Sequence, residues 1–293
     1  MASDRATQRF GLQLPEVQPV RYRNNVIQKA VCELKFPTLY GLEREHPPAG
    51  LANALRKLYP QHSILDGLNV GPTGVAQNFA YVFADKKART QVVFRASSVA
   101  LETTSYQTFE DFLDRLLVIT GIAQAVIDSE FFTRVGLRYI NALPYGHGAI
   151  GEWVNPQLVG ALSAGAFGAP EEFNGRIAGK IAEDAGFTLS HGIGQGSENS
   201  KSDYVLDLDF WQEDVPSAEI EEVVTRLHDL EHRMFHWSLA PAAFDYMGPS
   251  TLKEPRERRA SALAGTAVPP AEKKAANPFT ENPWKTSPKH HKP

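Results

Sequence analysis

Histidines recur at every fourth position late in the chain, at His228, His232 and His236. Two histidines one helical turn apart can share a zinc ion, and in the HExxH motif a glutamate directly follows the first of them. Here the glutamate, Glu231, instead precedes the second histidine. At about 100° per residue, the three histidines lie roughly 80° to 160° from Ile220, away from an apolar stripe centred near 320°. The pattern favours a solvated or subunit-facing row. A metal site at His228 and His232 is the alternative, and we expect no cofactor.

Charged side chains share the faces of two candidate strands. Asp207 and Asp209 stand two residues apart, which places their carboxylates on one strand face about 7 Å apart. Such pairs can divide acid and base roles, although exposed sheets carry them routinely. Arg134 and Arg138 likewise share a face, and a face that mixes acids with arginines suits protein contact better than catalysis. The predicted ligand or partner surface comprises Arg134, Arg138, Tyr139, His191, Asp207 and Asp209.

A glycine-rich run, His191-Gly192-Ile193-Gly194-Gln195-Gly196, resembles a phosphate-binding loop. A dinucleotide fingerprint needs G-x-G-x-x-G between a strand and a helix, whereas this run reads G-x-G-x-G and precedes a strand. A flexible connection through Ser197–Ser202 is the better interpretation. The sequence also contains no G-x-S-x-G elbow, Walker loop, CxxC pair or kinase motif set. It therefore predicts a binding protein in preference to an enzyme.

The elements that must position these residues occur in the same order twice. Periodicity predicts, in the first half, a strand at Val26–Phe36, a helix at Ala49–Tyr59, three strands between Asn78 and Tyr106, and a helix from Thr108 to about Ile127. Thr108, with Asp111 three residues later, is the predicted cap of that helix. In the second half it predicts strands at Arg134–Leu143, Arg176–Ala182, Phe187–Gly192 and Asp203–Trp211, with a helix at Asn155–Ala164 and a long helix that Ser217 caps. Three antiparallel strands cannot bury an apolar face alone. We therefore expect an α+β fold in which two β-α-β-β-β-α halves join edge to edge into one extended, curved antiparallel sheet with helices on one face.

Composition divides the 293 residues into three parts. We expect a flexible N-terminal arm over 1–20, one α+β domain over 21–250 with pseudo-repeats 21–130 and 131–250, and a disordered Pro/Lys-rich tail over 251–293. The tail holds nine Lys/Arg and four Asp/Glu, so its charge of +5 leaves −9 on the remainder. An acidic body argues against nucleic-acid binding except through the tail. In the tail, Phe279 and Trp284 are candidate partner anchors, with a plain linker as the alternative.

The single cysteine, Cys32, excludes an intrachain disulfide and is expected to be a buried, inert thiol. Met1–Pro15 lacks the apolar region of a signal peptide, and no apolar run has the length of a membrane span. We therefore expect a cytoplasmic protein without a membrane partner.

Three segments resemble a family of uncharacterised, sporadically distributed prokaryotic proteins. They are NVIQKAVCELKF at Asn25–Phe36, TRVGLRYINAL at Thr133–Leu143, and Asp203–Trp211 with the helix that follows to Trp237. The resemblance spans about residues 20–248, omits the tail, and brings no known reaction or site. Its patchy distribution implies accessory genes, such as defence, toxin–antitoxin or immunity loci.

The sequence supports two classes of function. The first is a non-catalytic protein-binding accessory module, such as an antitoxin, immunity or defence component, with a protein partner and with a homodimer as an option. The second is a small-ligand sensor or enzyme that uses the concave sheet face, with Tyr139, Arg138, His191 and Asp207 as its residues.

Overall fold

The computed structural model describes residues 11–250 except 44, 72, 73, 147, 164–166, 169 and 195–202. The predicted tail with Phe279 and Trp284, the first ten residues of the predicted arm, and the end of the glycine-rich run lie outside the described residues.

Strands and helices alternate along the described chain in blocks. The strands are β1 (Arg21–Tyr22), β2 (Ile27–Lys35), β3 (Gln61–Gly71), β4 (Gly74–Ala84), β5 (Thr90–Arg95), β6 (Ser98–Thr103), β7 (Phe131–Leu143), β8 (Phe173–Lys180), β9 (Ala185–Gly194), β10 (Asp203–Pro216) and β11 (Pro249–Ser250). The helices are α1 (Ala49–Leu55), α2 (Phe109–Ile127), α3 (Ile150–Trp153), α4 (Pro156–Ser163), α5 (Ile220–Ser238) and α6 (Pro241–Met247).

Nine strands form one antiparallel sheet in the order β3-β4-β5-β6-β2-β7-β10-β9-β8, while β1 pairs only with β11. The halves meet where β2 pairs with β7, with Cys32 opposite Leu137. From this junction the first half runs outward as β2-β6-β5-β4 and the second as β7-β10-β9-β8, which is a pseudo-twofold order. The α+β fold with an extended, curved antiparallel sheet is confirmed.

The two halves differ in strand number, because the first has four strands after its helix α1 and the second has three. The extra strand is β3, which pairs with β4 along its whole length from Gln61 opposite Ala84 to Gly71 opposite Gly74. The prediction of three strands in the first half was wrong. Asp66, Gly67 and Asn69 are turn-type residues, so this segment resembles a loop until β4 supplies its hydrogen bonds.

The main core lies between one face of the sheet and the helices. Alternate residues of β2 and β7, such as Cys32, Leu34, Leu137 and Tyr139, are buried in one cluster together with side chains of α2 and α5. Both halves contribute to this cluster. The opposite sheet face holds a small separate cluster, Ala80, Val82, Val93 and Ala100, in which no described helical residue takes part. The main helices therefore cover one face, as the period-two alternation of the strands requires.

The start of α2 is set by local chemistry, and the start of α5 is not. Thr108 accepts a hydrogen bond from the backbone N–H of Asp111 at 3.2 Å, which confirms the predicted cap. In α5, a 3-10 turn at Ser217–Glu219 precedes the helix, and Ser217 instead donates to the carbonyl of Ser129 at 3.1 Å. The prediction that Ser217 caps this helix was wrong.

Part of the predicted N-terminal arm packs against α5. Leu12 and Leu14 contact the main core. The Arg233 guanidinium donates to the carbonyl of Leu14 at 2.5 Å and pairs with Glu16 at 3.1 Å. Residues 11–20 thus belong to no helix or strand, and side-chain contacts join this segment to the core and to α5. No helix among the described residues is long and apolar enough to cross a membrane.

Candidate functional site

Ion pairs cross the four central strands on the sheet face opposite α2 and α5. We call this surface the charged face and define it by Lys29, Glu33, Glu102, Arg134, Arg138, Asp207, Asp209 and Trp211. The Arg138 guanidinium donates to both carboxylate oxygens of Asp207, at 2.7 and 2.5 Å. Arg134 lies 3.1 Å from Asp209 and 3.9 Å from Glu33. Because β7 lies beside β10, the two predicted arginines of β7 thus form ion pairs with the two predicted aspartates of β10.

The Arg138–Asp207 pair is asymmetric in its exposure. The Asp207 side chain is 7% exposed and the Arg138 side chain is 39% exposed. The hydrogen bond to Asp207 raises the pKa of Arg138. Burial raises the pKa of Asp209, and the Arg134 guanidinium opposes that effect. A bidentate pair of this geometry fixes both side chains and leaves the outer edge of the guanidinium in contact with solvent.

Trp211 stands on the charged face between two cations. The Lys180 ammonium lies 4.5 Å from the centroid of the indole ring, and the Arg134 guanidinium carbon lies 5.7 Å from it. Both distances are in the range of cation–π attraction. A Cβ at Gly186 would lie 2.7 Å from the indole, so a residue without a side chain is required beneath the ring. The glycine thus leaves room for the indole ring against β9.

A chain of polar aromatic rings lies on the opposite, helix-covered face. Tyr106 Oη is 3.4 Å from Tyr139 Oη, which is 3.1 Å from Nδ1 of His228. The His228 ring stacks on Phe109 with centroids 3.9 Å apart. The chain of rings continues along α5 to His236. The His232 ring centroid lies 6.3 Å from that of His228 and 4.5 Å from that of His236.

The three histidines are half-buried, so the prediction of a solvated row was wrong. Helix α2 and strand β1 cover that side of α5. His236 Nε2 and Tyr22 Oη of β1 share a hydrogen bond of 2.6 Å. Burial, reinforced by His232, lowers the pKa values of His228 and His236 to about 4. Burial also lowers the pKa of His232, against the effect of Asp229. No group of three or more potential metal ligands exists among the described residues.

Glu231 is buried beneath the centre of the sheet. It is 1% exposed, and neither carboxylate oxygen has a hydrogen-bond partner of normal geometry in the described structure. Burial raises its pKa well above the usual value, and the charges of Asp209 and Asp207 add to this shift. The backbone of Phe210 and the charge of Arg138 oppose it. Glu231 in turn raises the pKa of the buried thiol of Cys32, which burial already raises. The buried, low-dielectric surroundings of Glu231 therefore favour its neutral form over the carboxylate.

The six residues of the predicted surface divide between the two sheet faces. Arg134, Arg138, Asp207 and Asp209 come together on the charged face. Tyr139 and His191 lie on the helix-covered face, where His191 Nδ1 is 2.6 Å from Tyr204 Oη. Adjacent residues of a strand point to opposite faces, so Arg138 and Tyr139 cannot line one site. The structure thus does not bring together the four residues predicted for a ligand or enzyme site.

Two pockets accompany these clusters. One, of about 170 Å³, lies at the start of α2 and is lined by polar residues that include Tyr106, Arg89 and Asp111. The other, of about 450 Å³, is lined by mainly apolar residues that include Tyr145, Ile150 and Ile193. The smaller pocket reaches the end of the polar chain at Tyr106.

Sequence reasoning missed Trp211 and Glu231. Nothing in the strand pattern distinguishes Trp211 until Lys180 and Arg134 come next to it from other strands. Glu231 did carry a signal, because at 100° per residue it lies about 20° from Ile220, inside the apolar stripe of α5.

A scan of the chain against models of known protein families finds no match, and a search of curated proteins finds no similar sequence. The function is therefore inferred from the chemistry of the two sheet faces.

Proposed function

We propose that the protein is a non-catalytic binding module whose charged face contacts a protein partner. The observation that carries this proposal is Trp211, which lies against Gly186 and close to Lys180 and Arg134, beside two Arg–Asp pairs. Tryptophan and arginine dominate the energetics of protein interfaces, and prearranged side chains lose little entropy on binding.

The charges of this face also favour protein contact over catalysis. Each carboxylate that defines the charged face lies near a cation, so none of these described acids is held free for proton transfer. Partner charges that complement the exposed edges of Arg138 and Arg134 fix the register of docking.

Affinity capture from the cells that produce the protein, with the wild type and Trp211→Ala compared side by side, tests this proposal. We expect one stoichiometric partner that Trp211→Ala loses. Tyr40→Ala is the matched control, because Tyr40 is an aromatic residue that is 93% exposed elsewhere on the chain. Equal capture by wild type and Trp211→Ala contradicts the proposal.

The finer assignment is an accessory component of a defence, toxin–antitoxin or immunity locus in a sporadically distributed prokaryotic family. It is supported by the resemblance of Asn25–Phe36, Thr133–Leu143 and Asp203–Trp237 to that family. Neighbouring genes that encode a toxin or effector agree with it, and a neighbourhood of housekeeping genes argues against it.

A small-ligand sensor is the second candidate, supported by one observation. Burial raises the pKa of Tyr106 and of Tyr139, and the unpartnered acid Glu231 adds to both shifts. The two tyrosines belong to a chain of rings that ends at the 170 Å³ pocket. Native mass spectrometry of the purified protein tests this candidate. A retained small molecule that is lost in Tyr106→Phe supports it, and an unchanged apo mass in both proteins argues against it.

A further inference from the structure

The two outer strands of the described sheet, β3 and β8, differ in the charge of their side chains. In the described structure β3 and β8 each have a neighbour on one side only. The middle of β8, Arg176–Ala178, is exposed. An edge strand presents unpaired backbone N–H and C=O groups to which an extended peptide can bind. β8 is therefore available for the addition of a strand.

Cations mark one side of β8. Arg176 and Lys180 point to the charged face, four residues apart, which is about 13 Å along a strand. Both are exposed, and no described carboxylate pairs with Arg176. Lys180 bends inward, with its ammonium 4.5 Å from the Trp211 ring and 3.1 Å from the carbonyl of Glu183. By contrast, β3 contains no lysine or arginine.

Lysines on edge strands often block unwanted pairing. A blocking lysine must extend into solvent beyond the edge, whereas Lys180 is held back over Trp211. Its position leaves the backbone of β8 uncovered and keeps positive charge close by. This arrangement favours the binding of an acidic strand at β8 over an edge that is blocked against pairing.

The other side of β8 is apolar and shaped by two glycines. A Cβ at Gly179 would lie 2.8 Å from the Phe187 ring, and a Cβ at Gly175 would collide with the His191 ring. These rings from β9 fill the places of the missing side chains. Ile177 stands between them and is 44% exposed. An apolar side chain of an added strand would contact this surface.

We propose that β8 binds an extended acidic peptide segment of the partner as a tenth strand. This inference rests on the proposed protein-binding function and names the chemistry of its partner. Side chains of a strand alternate between faces, so acids opposite Arg176 and Lys180 are separated by three residues. The apolar residues that meet the Ile177 surface lie just inside them. The recognised pattern is acid–apolar–any–apolar–acid.

Fluorescence anisotropy with the full chain and a labelled synthetic peptide, TEVTVET, tests the proposal. We expect saturable binding that Arg176→Glu weakens at least tenfold and that Lys57→Glu, an exposed control elsewhere, leaves unchanged. The charge-reversed peptide TKVTVKT and the peptide TEVPVET, whose proline lacks a ladder N–H, should both bind at least tenfold more weakly.

Several outcomes overturn the proposal. They are the absence of saturable binding of TEVTVET at millimolar concentration, equal binding of TEVTVET and TKVTVKT, and equal binding by wild type and Arg176→Glu. The peptide comparisons use wild-type protein, so they remain decisive if a variant fails to fold. If the peptide does not bind while Trp211→Ala still loses the captured partner, the edge-strand inference fails and the protein-binding function stands. If neither protein partner nor peptide is bound, both fail.

Discussion

Replacing the buried acid Glu231 should make the protein more stable, by an amount that grows with pH. Glu231 is 1% exposed, and its oxygens have no hydrogen-bond partner of normal geometry in the described structure. Leaving a polar group buried without a partner costs about 1–3 kcal/mol. Methionine has nearly the same length and no such cost. We therefore expect Glu231→Met to raise the free energy of unfolding by about 1–3 kcal/mol at pH 5.

The pH dependence follows from the direction of the pKa shift. Burial raises the pKa of Glu231 in the folded protein, whereas an unfolded glutamate titrates near pH 4.3. Between these two values the folded chain holds a proton that the unfolded chain has lost, so the wild type loses stability as pH rises. The slope is about 1.4 kcal/mol per pH unit. The difference between Glu231→Met and wild type should therefore widen from pH 5 to pH 6, by at most about 1.4 kcal/mol.

Urea denaturation followed by circular dichroism at pH 5, 5.5 and 6 measures this difference. All other titrating groups are common to both proteins, so their contributions cancel. Glu222→Met is the matched control, because Glu222 is exposed on the same helix, and its difference from wild type should stay constant with pH. Glu231→Gln keeps the shape of the side chain without its charge and should also lose the pH slope. A Glu231→Met difference that is independent of pH would refute the reasoning, since it would mean that the folded protein holds Glu231 ionised.

Three further predictions concern the histidine row, the charged face and the glycines. Burial lowers the pKa of His228 to about 4, below its value near 6.5 in the unfolded chain, so the free energy of unfolding should fall by at most roughly 3 kcal/mol as pH drops from 6.5 towards 4. His228→Phe should flatten that part of the plot of urea midpoint against pH. An unchanged plot argues against a buried neutral ring. Arg138→Ala leaves the carboxylate of Asp207 buried without its cation and should lower the free energy of unfolding by about 2 kcal/mol in urea, whereas a loss below about 0.5 kcal/mol would mean that solvent replaces the pair. Gly121→Ala should raise the melting temperature by the equivalent of about 1 kcal/mol, because the new Cβ in α2 has open space around it. Gly192→Ala should lower the melting temperature, because its Cβ would collide with the backbone of Phe173.

The order of elements could be predicted from local patterns. A strand alternates every two residues and a helix repeats about every 3.6, so both periods are visible within a few residues of sequence. The cap at Thr108 is equally local, because its partner Asp111 is three residues away. The need for two halves to share one sheet followed from the apolar area that each half exposes.

The partners of the functional side chains were decided only by the tertiary structure. Strand order puts β7 beside β10, and this placement pairs Arg138 with Asp207. The packing of α2 and the N-terminal strand against α5 buries His228 and His236 on a side of the helix that its own sequence marks as polar. Contacts between residues far apart in the chain depend on which surfaces meet. The periodic pattern of one element does not say which distant element packs against it.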